Sequence, residues 1–123
     1  MKYDMLLSYL VWYDYSQRGG DRLVAKAIWF ISYKLVKDAD VSEFLAASRQ
    51  CHDEVLSKHK GFISWQVLAK DDTWVDFVTW ETKEDAINAE KNSDPTNPVA
   101  AKFYSFINFN SIKSQIYTIE KNY

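Results

Sequence analysis

The sequence predicts an α+β domain in which one four-stranded sheet carries helices on a single face. Three observations predict it. Runs of branched, aromatic or alternating apolar residues recur along the chain. Between them lie segments with apolar residues at helical spacing, each opened by a capping residue. The order in which they follow is β-α-β-β-α-β, the split βαβ or ferredoxin-like pattern. At 123 residues the chain is the size of one domain, and its balance of 47% hydrophobic to 26% charged residues excludes a disordered chain.

The elements follow in order. Arg18-Gly19-Gly20-Asp21 separates an N-terminal appendage, residues 1–21, from a domain at residues 22–123. The apolar run at residues 5–13 is too short to span a bilayer, which takes about 20 residues. It also lacks the basic flank and cleavage site of a secretory signal. Residues 24–37 read as the first strand. Asp40 or Ser42 caps a helix running to about residue 58, with Phe44, Ala47, Cys51 and Val55 as its apolar stripe, and Gly61 stops it. Residues 62–69 and 74–81 are two strands joined as a hairpin. Thr82 with Asp85 caps a second helix to about residue 92. Residues 93–97 break it, and Pro98 opens a further short helix with Phe103, Phe106 and Ile107 on one side. Residues 113–120 form the last strand.

A hairpin loop at residues 70–73 sets Ala69 opposite Trp74, Val67 opposite Asp76, Trp65 opposite Val78 and Ile63 opposite Trp80. These eight side chains share the face turned to the helices. Phe62, Ser64, Gln66, Leu68, Val75, Phe77 and Thr79 share the other. Both faces are substantially apolar, and a bare apolar face calls for a partner. The expected partner is a second copy, the two sheets closing into a barrel, with Gln66 and Thr79 on the barrel side. The tyrosine-rich residues 1–21 could raise the assembly beyond a dimer.

Charge and cysteine content narrow the function. The net charge is −2, and the basic residues are scattered, so nucleic acid is not an expected partner. No membrane partner is expected either. One cysteine allows no internal disulfide and fits a reducing, cytoplasmic setting. No Gly-rich phosphate loop, metal-ligand spacing or Ser-centred elbow is present, so neither a metal nor a cofactor is expected.

The segments Glu43-Phe44-Leu45-Ala46-Ala47, His52-Asp53-Glu54-Val55-Leu56, Gly61-Phe62-Ile63-Ser64, residues 73–81 and Glu84-Asp85-Ala86 resemble the dimeric α+β barrel superfamily. The branch they look like is that of the antibiotic biosynthesis monooxygenase-like domains. The resemblance covers about residues 22–120. It implies a homodimer with a pocket for a small aromatic or apolar ligand between each sheet and its helices. The activity it implies is cofactor-independent monooxygenation of an aromatic substrate. A non-catalytic binding module of the same fold, and a small isomerase or lyase, stand as alternatives. The haem-degrading members pair a helical His with a strand Asn. The second helix here has no His and the first strand no Asn, which argues against that activity.

Asp76 is the leading catalytic candidate. A carboxyl between Val75 and Phe77 on an apolar strand must be paired, hydrogen-bonded or protonated. A raised pKa would suit it to act as a general base. The structural alternative is a satisfied ion pair or hydrogen bond, with Lys26 or Lys34 on a neighbouring strand as the suggested partner. His52 could meet Asp76 across the pocket, or stand at the helix boundary half in solvent. Trp29, Trp65, Trp74 and Trp80 could sandwich a flat ligand or simply fill the core. His59 is expected in solvent, and Cys51 is expected to behave as a small hydrophobe. A cavity below about 300 Å³ would exclude a polycyclic substrate.

Overall fold

The computed structural model describes residues 21–123; the expectations for residues 1–20 lie outside the described residues. A 3-10 turn (Asp21–Val24) leads into β1 (Ala27–Leu35), followed by α1 (Val41–Glu54) and a second 3-10 turn (Leu56–Lys58). The chain continues through β2 (Phe62–Lys70), β3 (Thr73–Trp80), α2 (Lys83–Lys91), α3 (Pro98–Tyr104) and β4 (Ile107–Thr118). The strand order is β2-β3-β1-β4 and every neighbouring pair is antiparallel. This is the expected α+β, ferredoxin-like architecture.

Each helix starts where its cap predicts. The Asp40 carboxylate accepts the Glu43 backbone N–H at 3.0 Å, and the Thr82 hydroxyl accepts that of Asp85 at 3.0 Å. Asn97 caps α3, accepting the N–H groups of Val99 and Ala100 at 2.9 and 3.1 Å. Gly61 ends the α1 segment at φ +82°, in the left-handed region.

Several boundaries differ from expectation. The first helix ends at Glu54 rather than near residue 58, because the chain tightens into the 3-10 turn. The last strand begins at Ile107, not 113. Ile107 pairs with Leu35 and enters the core instead of continuing α3. The hairpin keeps three of its four expected pairs: Ala69 with Trp74, Val67 with Asp76 and Trp65 with Val78. The fourth fails. The register shifts between Phe62 and Ser64, so Phe62 and not Ile63 faces Trp80. This bulge turns the Phe62 ring inward, 5.8 Å from Trp80, and leaves Ile63 exposed.

The inner face of the sheet carries two hydrophobic clusters. Ala27, Trp29, Val78 and Trp80 pack with Ala86 and Ala89 of α2. Tyr33 and Ile107 pack with Phe44 and Cys51 of α1 and Phe103 of α3. Ile31 and Trp65 touch both, and the space between the clusters is not filled. The outer face carries Phe30, Phe77 and Tyr117, packed edge-to-face at 6.4 and 6.3 Å, together with exposed Leu68.

Candidate functional site

Between the two clusters lies a cavity of about 200 Å³. The sheet supplies Trp29, Ile31, Trp65, Asp76 and Val78 as its floor. Cys51 and Val55 close one side, and Phe103 and Tyr104 of α3 another. The mouth is polar, with His59 opposite Asn92, Asp94 and Asn97 from the break between α2 and α3. Asn92 is the C-cap of α2 and Asn97 the N-cap of α3, while Asp94 accepts the N–H and hydroxyl of Thr96 at 2.9 and 2.6 Å.

Asp76 is buried at the floor, 5% exposed. Its cross-strand neighbours are apolar, Ile31 on β1 and Val67 on β2. Of the two structural alternatives, the ion pair with Lys26 or Lys34 does not form and a hydrogen bond does; Lys34 pairs with Asp72 at 3.2 Å, at the exposed end of the hairpin. The partner of Asp76 is instead the hydroxyl of fully buried Tyr33, which donates to Oδ1 at 2.8 Å. Tyr33 lies opposite Trp74, so it reaches Asp76 along a diagonal of the β1–β3 ladder. Trp65 lies on the other diagonal, opposite Val78. Its indole N–H is buried and meets no acceptor in good geometry, yet stands near enough to favour the carboxylate. Burial outweighs both donors and pushes the Asp76 carboxyl up to about 7. The group is thus poised to give or take a proton at neutral pH. Its charge acts in turn on its neighbours. Burial, and then Asp76, push the Cys51 thiol up to about 11 and the Tyr33 hydroxyl well above its ordinary range. Cys51 is therefore a neutral wall group, as expected.

The predicted tryptophans divide. Trp29 and Trp65 line the cavity, whereas Trp74 and Trp80 do not. The Trp29 indole N–H donates to Ser114 Oγ at 2.7 Å, which fixes the ring across the β1–β4 ladder. Trp74 packs on Phe44 at 5.2 Å, and Trp80 is wholly buried against α2. His52 does not join Asp76. It follows Cys51 by one residue, about 100° around the helix, and so turns off the inner stripe. Its Nδ1 meets Asp53 Oδ1 at 2.7 Å and its ring lies 5.4 Å from Phe62. That hydrogen bond, aided by Arg49, holds the Asp53 carboxyl below its ordinary range.

His59 is the site histidine instead. The 3-10 turn carries it back to the cavity mouth, with its ring 6.4 Å from Trp80, and burial lowers its pKa and keeps it neutral. Its place next to Gly61 suggested solvent, and nothing in the spacing marks the turn that redirects it. Tyr33 was equally hidden, since only the strand pairing reveals its diagonal to Asp76.

No family model matches the chain, and no curated protein sequence does. Solved structures do. The chain superposes on SnoaB, a cofactor-independent oxygenase from Streptomyces nogalater, with a TM-score of 0.60, over 80% of this chain and 96% of that one. It has the fold of that oxygenase. Sequence identity is 14%. A Bacillus cereus protein named as a candidate antibiotic biosynthesis monooxygenase aligns with a TM-score of 0.53 and 17% identity, over 80% of this chain and 97% of that one. A Bacteroides thetaiotaomicron protein of unknown function, named as a possible oxidoreductase, gives 0.55 and 11%, over 78% and 99%. The recognised fold is the one that the resemblance implied. Among the described residues, no helix is long and apolar enough to cross a membrane.

Proposed function

We propose that the protein is a cofactor-independent monooxygenase of a compact phenol, acting in the cytoplasm as a homodimer. The observation that carries this reading is Asp76, a carboxyl with a pKa raised to about 7 on the floor of an apolar cavity. Its likeness in fold to a cofactor-independent oxygenase supports dioxygen as the second substrate. A cavity of about 200 Å³ lies below the size expected for a polycyclic ligand. It suits a single substituted ring, since an apolar cavity of about 150 Å³ takes benzene.

In this reading Asp76 accepts the phenolic proton, and Tyr33 steadies the carboxylate beforehand. Trp29 and Trp65 flank the ring, and the apolar wall excludes water. The phenolate then reduces dioxygen. A ring C–H and the C–OH both become C=O. One oxygen atom enters the product, the other leaves as water, and all four electrons come from the ring. The protein is asked only for proton chemistry, about 10²–10⁴-fold for a general base. His52 has no part in this scheme. The outer face, with Phe30, Phe77, Leu68 and Tyr117, is the surface on which the second copy would sit.

Oxygen consumption with a panel of one-ring hydroxylated aromatics tests the reading. Uptake of one dioxygen per quinone formed is expected, and Asp76→Asn should lower the rate by about 10²–10⁴-fold with the fold intact. Undiminished turnover in that variant would remove Asp76 from the chemistry.

A further inference from the structure

The charges around the cavity restrict what can enter it. Asp76 faces Tyr33 from β1, Trp65 from β2 and Cys51 from α1, and shares the cavity with Tyr104 of α3, His59 and Asp94. Among the described residues that line the cavity, none is Lys or Arg. Asp94 is exposed, and its hydrogen bonds from Thr96 keep it ionised. His59 is held neutral by burial. The acid floor and acid mouth therefore face any ligand without a lining counter-cation from the described chain.

Cys51 stands where a second anion would lie, on the cavity wall beside Asp76. Its thiol lines the same wall and resists ionisation for two reasons, burial first and the Asp76 charge second. A ligand anion in the cavity would meet both. We propose that the floor of the cavity, beneath the Asp94 mouth, holds one negative charge, carried by Asp76 or by the ligand but never by both. Neutral one-ring proton donors are then its ligands, and a ring acid enters only together with a proton. This rests on the reading of the cavity as a ligand site. It also fits the proposed chemistry, since proton transfer from a phenol to Asp76 moves the charge onto the ring without adding one.

The test compares two probes of similar size that keep their charge states between about pH 6.5 and 8.5: 4-ethylphenol, neutral, and benzoate, anionic. Chemical-shift titration of the tryptophan indole N–H groups gives both affinities in the wild-type protein. Benzoate should weaken about tenfold for each pH unit above about pH 7, because each ligand then requires uptake of one proton by Asp76. 4-Ethylphenol should not weaken over the same range. In Asp76→Asn the benzoate affinity should lose its pH dependence. Benzoate and 4-ethylphenol holding parallel affinities across the range in the wild type would overturn the proposal, whether or not the variant folds. If neither probe binds, the ligand-site reading falls with it. If both bind as expected but no oxygen is consumed, only the oxygenase reading falls.

Discussion

Asp76 owes its chemistry to its burial, opposed by two donors, Tyr33 and Trp65. In an unfolded chain its carboxyl ionises near its ordinary value of 3.8; in the fold it does so only near 7. Between those limits the folded state holds a proton that the unfolded state has lost. The contribution of Asp76 to stability is therefore greatest below about pH 4 and falls as pH rises, by roughly 1.4 kcal/mol per unit, until about pH 7. Urea midpoints compared between wild type and Asp76→Asn should show the variant gaining on the wild type across that window. The comparison cancels Asp53 and Asp94, whose lowered pKa values work in the opposite direction. Tyr33→Phe removes the one well-formed hydrogen bond to the carboxylate and should push the Asp76 pKa up further. The acid limb of the pH–rate profile should then move to higher pH, and an unmoved limb would mean that Asp76 does not control it.

At the scale of elements, the turn at Gly61 ties α1 to the start of α2. Gly61 adopts φ +82°, and a Cβ there would lie 2.0 Å from Asp85 Oδ2, on the buried first turn of α2. Gly61→Ala should cost more than about 2 kcal/mol, of which about 1 kcal/mol is the left-handed backbone. In an Asp85→Gly background, which removes the Oδ2, Cγ and Cβ atoms that a Cβ at position 61 would meet, the same change should cost mainly the backbone part, as denaturant titration would show. The caps at Asp40 and Thr82 and the β2–β3 hairpin were legible because they depend on residues a few positions apart. The bulge near Ile63 was not. It follows from the fit of the Phe62 ring between Trp80 and His52, and those are contacts between different elements.

For the whole molecule, the outer sheet face is the open question that one experiment answers. Phe30 and Phe77 lie across from each other on β1 and β3, and Tyr117 closes on Phe30 from β4. Phe30 and Phe77 are partly buried already and Tyr117 is 52% exposed, so a second sheet placed here would cover the remaining part of the roughly 150–250 Å² of each ring, a gain of about 25 cal/mol per Å² covered. Sedimentation equilibrium at micromolar concentration should find a dimer, and Phe77→Glu should dissociate it while the cavity keeps its ligand affinity. A stable wild-type monomer at that dilution would refute the paired-sheet assembly.

The sequence by itself determined the order of elements, their caps, the hairpin and the side of the sheet on which Asp76 lies, because all of these arise from periodicities and short-range hydrogen bonds. Only the tertiary structure decided that Tyr33 and not a lysine answers Asp76, that His59 and not His52 reaches the cavity, and that Trp29 and Trp65 line it while Trp74 and Trp80 are core. The physical reason is that such contacts are set by strand pairing across tens of residues and by one irregular turn, and neither leaves a period in the chain to be read.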